Sequence, residues 1–524
     1  MEKVTQIEQH MVKNEVVNTE TPPPRAGKKE WIGLTVIALP CVLYSMDLTV
    51  LNLAVPHLTA DLKPSSSELL WIVDIYGFLI AGLLITMGTL GDRIGRRKLL
   101  LIGAASFGAA SILAAFSTSA EMLILSRAIL GIAGATLAPS TLSLIRNMFL
   151  DPKQRTVAIG VWVASYSAGG AIGPVIGGIM LEYFWWGSVF LVAVPVMILL
   201  LTLGPIFLPE FKDPNAGKLD FTSAFLSLSA VLLIIFGLKK IAEHGISWIP
   251  LLSMVAGVGI GALFLRRQRQ LSDPMIDLNL FRSAAFSAAL TIYTFITFIA
   301  FGAFIFVFQY LQLVQNLSPI EAGLLSLPSF GGFILGSVFA PMVAHKFRPV
   351  NVITWGLILA AAGFGLMTQV NVGSGITFLV VGMLIYSLGL APVITLTTDL
   401  IVGAAPPERA GVASAISETS SEFGGALGIA ILGSIGTFIY RSKMDAEIPA
   451  QVPETLGNQA TETLGGAATV ARQLPQEISY ELLRVANEAF VTGMQLNALI
   501  GAVIAAGLAF LAAKFLGDVK TSGH

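Results

Sequence analysis

The sequence is poor in charge and in cysteine. Only 12% of its 524 residues are Asp, Glu, Lys or Arg, about half of what soluble domains carry. The one cysteine, Cys41, cannot form a disulfide within the chain, so cysteine usage gives no information on the redox compartment. The 31 basic and 32 acidic residues nearly cancel. This composition speaks against a soluble protein, a disulfide-stabilised domain and a nucleic-acid partner.

Several enzyme motifs and a signal peptide are also absent from the sequence. It has no Gly-x-x-x-x-Gly-Lys-Ser/Thr loop for nucleotide phosphates and no His or Cys cluster with metal-ligand spacing. The first 30 residues are polar, contain three consecutive prolines and lack the apolar stretch of a cleavable signal. We therefore expect no enzyme, metal or organic cofactor, and a disordered cytoplasmic leader over residues 1–30.

Long hydrophobic runs are what the sequence has in abundance. Hydrophobic residues make up 55% of the chain, and fourteen apolar runs are long enough to cross a bilayer as helices. These runs cover residues 31–56, 69–90, 98–117, 121–145, 156–180, 188–209, 219–238, 248–265, 284–312, 319–344, 350–369, 376–402, 411–440 and 486–513. The sequence therefore predicts an all-α integral membrane protein with fourteen transmembrane helices.

The connections between the runs indicate orientation and domain organisation. Most Lys and Arg residues fall in connections that lie inside if the N-terminus is cytoplasmic, so both termini, including a tail over 514–524, are predicted to be cytoplasmic. The loop Gly88–Lys98 has a degenerate echo in Ala344–Pro349. This repeat predicts two six-helix bundles, 31–210 and 283–513, separated by two inserted helices and a linker over 211–282. The long outside connection 441–485 is either a short helical hairpin over the outer mouth or a mobile loop.

Four acids interrupt the apolar runs. Glu418 and Glu422 are four residues apart, so both lie on one face of the thirteenth helix. Asp47 and Asp74 lie in the first and second runs. A carboxylate in hydrocarbon costs several kcal/mol, so we expect all four to face the protein interior.

The Glu418 and Glu422 pair points to proton handling. Two carboxylates one turn apart in a low dielectric cannot both stay ionised cheaply, so we expect the pair to hold a proton and to exchange it for a cationic ligand. The alternative is that nearby hydroxyls of Thr419, Ser420 or Ser421 simply satisfy both carboxylates.

Arg127 is predicted to be the one basic residue within a span. A buried cation needs a carboxylate, carbonyls or water, and either Asp47 or Asp74 could supply the carboxylate. This pair is either a structural salt bridge or one that exchanges partners when a proton arrives. Asp74 lies beside Trp71 and Tyr76, where an acid and ring faces together could hold a cation.

Four motifs, in this order, carry a resemblance to a known family. They are Met46–Pro56 in the first run, Gly88–Lys98 after the second, Leu123–Gly131 around Arg127 in the fourth, and Gly169–Gly178 in the fifth. Together they resemble the major facilitator superfamily and, within it, the fourteen-span drug:proton antiporters of the QacA type. The resemblance extends over nearly the whole chain, from about residue 31 to 513.

We expect two of these motifs to serve conformational change. In the loop, Asp92 can accept hydrogen bonds from a helix N-terminus and so clamp an inner gate. The glycines of the fifth run recur every four residues and let a neighbouring backbone approach closely, while a proline can bend that stripe. The predicted gating residues are Gly88, Asp92, Arg93, Gly95, Arg96, Gly169, Gly173, Pro174 and Gly177.

The resemblance implies a function and two further sets of residues. It implies a proton-coupled antiporter of lipophilic cations such as quaternary ammonium compounds and dyes, driven by the proton gradient alone. It also implies a monomer in the cytoplasmic membrane of a bacterium. The proton-coupling candidates are Glu418, Glu422, Asp47 and Arg127, and the substrate-binding candidates are Asp74, Asp47, Tyr76, Trp162, Tyr166, Tyr293, Tyr310, Phe364 and Tyr386. Two alternatives stay open: an exporter of one metabolite or antibiotic, and a membrane sensor that binds such compounds without moving them.

Overall fold

The computed structural model describes residues 24–64, 66–213, 220–244, 247–271, 274–373 and 375–516. Within these ranges the chain is helical and contains no β-strand. Fourteen of the described helices are long and apolar enough to cross a membrane, which confirms the predicted membrane architecture. Most of the predicted leader (residues 1–23) and most of the predicted tail (residues 517–524) lie outside the described residues. The words inner and outer below follow the predicted orientation, which stays a prediction.

The helices follow the predicted apolar runs within a few residues at most ends. The N-terminal half contains α1 (Lys28–Leu62), α2 (Ser66–Ile94), α3 (Arg96–Ala115), α4 (Ala120–Met148), α5 (Pro152–Tyr183) and α6 (Ser188–Phe207), which is interrupted at Val192. The inserted helices are α7 (Phe221–His244) and α8 (Trp248–Gln268). The C-terminal half contains α9 (Ala284–Gln309), α10 (Pro319–Lys346), α11 (Pro349–Met367), α12 (Gly375–Gly403), α13 (Ala410–Glu447), the short α14 (Glu454–Glu462) and α15 (Leu464–Ala471), and α16 (Gln476–Phe515).

Local sequence signals set the starts of α5 and α10, which pack against each other between the two halves. α5 begins with Pro152 directly after Asp151, whose carboxylate accepts the backbone N–H of Lys153. α10 begins with a capping box in which Ser318 and Glu321 satisfy each other's backbone N–H groups. Each cap supplies a partner for N–H groups that the helix itself leaves unpaired.

Buried apolar side chains form two large clusters. One is built mainly from α1 to α6 and includes Ile37 and Phe107. The other is built mainly from α9 to α16 and includes Ile292 and Leu357. This arrangement is the predicted pair of six-helix bundles with two extra helices, while the residue boundaries of the domains stay a prediction.

The inserted helices α7 and α8 form a hairpin that is pinned at its inner end. Asp220, just before α7, accepts hydrogen bonds from Nε (2.8 Å) and Nη2 (3.1 Å) of Arg267 in α8. Hydrogen bonds from this guanidinium hold the pKa of the Asp220 carboxyl well below its usual range. The carboxylate therefore stays ionised as the pH falls through the usual Asp range, and the pin persists.

The outer connection 441–485 is a helical hairpin, so the mobile-loop alternative is wrong. α13 extends seven residues past its predicted end at residue 440, and α14 and α15 follow it. Leu464, Ala467 and Val470 of α15 are buried against the C-terminal cluster, and the Tyr440 hydroxyl donates to the carbonyl of Ala460 at 2.8 Å. The hairpin covers the outer end of the C-terminal half through α13 and α16.

Candidate functional site at the interface of the two halves

The predicted acid pair lies on α13 at the centre of the molecule. Glu422 accepts a hydrogen bond from the hydroxyl of Tyr44 in α1 at 3.1 Å, a contact between the two halves. Glu418 is 9% exposed, and its Oε1 is buried without a hydrogen-bond partner among the described residues. The neighbouring hydroxyl of Thr419 is likewise unpartnered there. Local hydroxyls therefore do not satisfy Glu418, and an ionised form at this place would be costly.

Aromatic side chains of the N-terminal half surround this acid pair. The Tyr44 ring lies 5.5 Å from that of Tyr166 and 6.4 Å from that of Tyr76. Trp162 packs on Tyr166 at 4.8 Å and donates its ring N–H to Thr141. The structure thus brings three predicted binding residues together. Sequence reasoning missed Tyr44, although its place three residues before Asp47 was an available signal.

The C-terminal aromatic candidates are divided among three places. Tyr293 in α9 is buried and interacts electrostatically with Glu418. Phe364 and Tyr386 stack on each other at 4.9 Å inside the C-terminal cluster. Tyr310 lies beyond α9 in a π-helical turn, where its hydroxyl donates to the carbonyl of Asn371 at 2.7 Å. This hydrogen bond ties the polar end of Tyr310 to an outer loop, and a role of Tyr310 in substrate binding stays a prediction.

Arg127 and Asp47 form a buried salt bridge. Nη1 of Arg127 lies 3.0 Å from Oδ2 of Asp47, and Nε donates to the carbonyl of Ile72 at 3.0 Å. The guanidinium also lies 4.7 Å from the centre of the Tyr76 ring. Of the two acids that the sequence offered to Arg127, the structure selects Asp47.

Asp74 has a different partner, which the sequence reading placed outside the membrane. Oδ1 of Asp74 pairs with Nζ of Lys239 in α7. Lys239 lies within the last turns of the α7 span, so Arg127 is not the one basic residue within a span. The Asp74 carboxylate is therefore already paired with a cationic side chain of the protein itself.

The segment Gly88–Lys98, which the sequence predicts as a loop, forms the end of α2, Gly95 and the start of α3, and it holds the inner ends of the two halves together. Asp92 is 4% exposed and accepts the backbone N–H groups of Gly411 and Val412, at 3.1 and 3.2 Å, in the first turn of α13. Arg96 bonds Asp92 and also donates to the two carbonyls just before α13. The predicted helix N-terminus partner of Asp92 is present, and its role in conformational switching stays a prediction.

Two glycines let this loop adopt its shape. A Cβ at Gly88 would lie 2.5 Å from the carbonyl oxygen of Gly411, so α2 and α13 touch through backbone atoms. Gly95 has a φ of 109°, a conformation that side chains rarely adopt. A Cβ there would lie 2.6 Å from the Glu210 carboxylate. Arg93 lines the cleft beside Asp92.

A second ion pair closes the inner side between α5 and α12. Nε of Arg155 lies 2.6 Å from Oδ1 of Asp399, and Thr156 donates to the other carboxylate oxygen at 2.6 Å. Asp399 lies near the inner end of α12, and its side chain is only 14% exposed. Two contacts, one at Asp92 and one at Asp399, therefore join the halves on the inner side.

The glycine stripe of α5 faces α1. A Cβ at Gly169 would overlap the carbonyl oxygen of Val42 in α1, and Gly173 and Gly177 are also buried. Pro174 lies within α5, but its side chain is outside the described part of the structure.

In the described residues, no group of three or more His, Cys, Asp or Glu side chains could hold a metal ion. That the protein needs no cofactor stays a prediction.

Comparison with known proteins decides the family. A sequence profile of the Major Facilitator Superfamily matches residues 37–429, which contain all of α2 to α12. The chain belongs to the major facilitator superfamily. As a member it is a multi-pass membrane transporter and not an enzyme. The resemblance noted in its motifs is confirmed, and its fourteen spans fit the fourteen-span branch.

Relatives within the superfamily align with almost the whole chain. The multidrug efflux pump LfrA of Mycolicibacterium smegmatis is 42% identical over 92% of this chain and 95% of its own. The methyl viologen resistance protein SmvA of Salmonella typhimurium is 35% identical over 88% and 93%. The tetracenomycin C resistance and export protein of Streptomyces glaucescens is 31% identical over 93% and 91%.

Two solved transporters share the superfamily fold. The human organic anion transporter MFSD10 superposes with a TM-score of 0.58 at 16% identity, over 91% of this chain and 99% of its own. A bacterial homologue of the human lysosomal transporter Spinster, solved facing inward, gives 0.55 at 18% identity, over 95% and 100%. At these identities the likeness concerns the fold alone.

Proposed function

We propose that this transporter exports lipophilic cationic drugs, antiseptics and dyes in exchange for protons. The observation that carries the proposal is the buried pair Glu418 and Glu422, with one carboxylate oxygen unpartnered among the described residues and another bonded across the halves to Tyr44. Two of the relatives, a multidrug efflux pump and a methyl viologen resistance protein, support a drug as substrate. Methyl viologen is a dication, which suits an acidic, aromatic site.

The acid pair supplies a physical route for exchange. A proton and a cationic drug both neutralise a buried carboxylate, so binding of either one lowers the affinity for the other. The inner side is closed by the contacts of Asp92 and Asp399. In this inner-closed state the acid pair takes up a proton from the outer side. In the inner-open state it binds the drug.

Tyr44 links this exchange to movement of the halves. Its hydroxyl on α1 donates to Glu422 on α13, and a hydrogen bond to an ionised carboxylate is roughly twice as strong as one to a neutral group. Protonation of Glu422 therefore weakens a contact between the halves. The protonation state and the conformation are thereby coupled.

Proton release tests this proposal directly. Tetraphenylphosphonium, a monovalent lipophilic cation, is added to the purified protein in detergent with a pH-sensitive dye. We expect the parent to release protons, and Glu418→Gln and Glu422→Gln each to release fewer. Glu454→Gln, which changes an exposed acid on α14, is the matched control and should behave as the parent.

Two further outcomes separate the alternatives. If both single variants and the double variant release protons as the parent does, the acid pair is not the coupling site. Everted vesicles should accumulate tetraphenylphosphonium only while a proton gradient exists. Binding without accumulation would identify a sensor, and a substrate panel that yields one transported compound would identify a dedicated exporter.

A further inference from the structure

The inserted helix α7 lies where the two halves meet. It packs against α2 of the N-terminal half and against α13 of the C-terminal half. Its contact with α2 is close, because a Cβ at Gly82 would lie 2.6 Å from the Leu228 side chain. Phe78 and Ala81 of α2 form a small apolar cluster with Ile235 of α7. A side chain of α7 can therefore reach groups of both halves.

One face of α2 presents the chemistry of a cation site. Asp74 and Phe78 are one helical turn apart, so a carboxylate and a ring face lie side by side. The Trp71 ring packs edge-on against Phe78 at 6.3 Å between ring centres and extends the aromatic surface. We call Asp74 and Phe78 the cation box. A carboxylate next to aromatic faces is what a lipophilic or quaternary cation requires.

The occupant of the cation box is the protein's own lysine. Nζ of Lys239 pairs with the Asp74 carboxylate and lies 4.7 Å from the centre of the Phe78 ring. The ammonium thus makes both contacts that a bound cation would make. The side chains of Lys239 and Asp74 are 36% and 19% exposed, so the pair is not sealed inside the protein. Lys239 also interacts electrostatically with Glu422 of α13.

We propose that Lys239 is a tethered competitor of the cationic substrate: it occupies the cation box, and a substrate cation binds there by displacing it. The inference rests on the proposed function in that the substrate carries positive charge. Displacement leaves the ammonium on α7, between α2 and the α13 acid pair. Lys239 thereby lowers the affinity of the cation box for substrate cations.

The charge of the ligand makes the proposal quantitative. The repulsion between Lys239 and a bound cation is proportional to the ligand charge. Removing the lysine should therefore tighten both cations by the free energy of the broken Lys239–Asp74 pair, which is the same for both, and should tighten a dication further by the repulsion of its second charge. If the monovalent affinity rises about tenfold, the dication affinity should rise by more than about tenfold.

Equilibrium binding to the purified full-length protein tests this relation. The probes are tetraphenylphosphonium and methyl viologen, and the variants are Lys239→Gln, Lys239→Arg and Lys240→Gln. We expect Lys239→Gln to tighten both ions, and methyl viologen more than tetraphenylphosphonium. Lys239→Arg keeps the charge and should bind as the parent does. Lys240→Gln removes the same charge one residue further along α7 and should change the affinities by less than about twofold.

The remaining outcomes separate the two proposals. If the parent binds the probes but Lys239→Gln weakens both or leaves both unchanged, Lys239 only anchors α7, and the inference fails while the proposed function stands. If the parent binds neither probe, both fail. A second measurement needs no variant: saturating tetraphenylphosphonium should increase the reaction of Lys239 with an amine reagent, read by mass spectrometry. Unchanged or reduced reactivity would overturn displacement.

Discussion

At the scale of single residues, the four acids that interrupt the apolar runs have different surroundings. Asp47 has a guanidinium, Asp74 has an ammonium, and Glu422 has a tyrosine hydroxyl. Glu418 has no hydrogen-bond partner for one oxygen among the described residues. Since the cost of a buried charge depends on its partner, four acids that look alike in sequence have different tasks.

The Asp47–Arg127 pair should be the most sensitive of these contacts to mutation. Asp47→Asn leaves a guanidinium that is 1% exposed without its carboxylate, which should cost about 3–5 kcal/mol of stability. Thermal unfolding of the purified protein in detergent measures the loss. Asp47→Asn with Arg127→Gln should recover much of it, because no uncompensated charge remains. Asp445→Asn, at an exposed position of α13, is the control, and an equal loss there would contradict this explanation.

The acids could be predicted from the sequence, but their partners could not. A carboxylate in an apolar run is visible in one dimension because hydrocarbon imposes the same cost on every helix. Which base it meets depends on which helices are neighbours. Arg127 could equally have met Asp74, and Lys239 looked like a residue at the membrane surface. Tyr44 was missed for the same reason, since its task appears only when α1 lies beside α13.

At the scale of helices, bilayer thickness made the sequence informative. Each crossing must bury its own backbone polar groups, so the fourteen helices were predicted with small errors at most ends. The outer hairpin of α14 and α15 was left open, because it lies outside hydrocarbon and is stabilised by packing on the C-terminal half. Its apolar residues Leu464, Ala467 and Val470 were the available signal.

The glycine stripe of α5 gives a prediction at this scale. Gly169→Ala places a methyl group against the carbonyl oxygen of Val42, a backbone atom that cannot rotate away. We expect a loss of about 1–3 kcal/mol in thermal stability as α1 and α5 separate. Gly178→Ala is the matched control in the same helix, since a Cβ there meets nothing within 4 Å. If the two variants lose equal stability, close α1–α5 approach is not the reason for Gly169.

At the scale of the whole molecule, two contacts hold the inner face closed. One joins Asp92 to the start of α13, and the other joins Arg155 to Asp399. Each consists of charge-assisted hydrogen bonds, worth about 1.5–3 kcal/mol apiece. Losing both contacts is enough to shift the equilibrium from the inner-closed state to the inner-open state.

Spin labels at Lys153 and Lys346 can follow this equilibrium. These exposed residues lie at the inner ends of α5 and α10, one in each half. We expect Asp92→Asn and Arg155→Gln each to shift part of the distance distribution to longer values, and the double variant to shift most of it. Asp220→Asn changes an inner carboxylate within the inserted hairpin and should leave the distribution as in the parent. A double variant that stays at the parent distance would show that other contacts close the inner face.

The position of α7 has a consequence for how a compound dissolved in the lipid reaches the centre. The two halves meet along α2 and α13 on one side and along α5 and α10 on the other. α7 packs against both α2 and α13 and so covers the first of these lines. In the described part of the structure, neither α7 nor α8 covers the second. A lipophilic compound moving sideways out of the inner leaflet therefore meets the line of α5 and α10 without an inserted helix in front of it. The inserted hairpin makes a nearly symmetric transporter one-sided toward the bilayer.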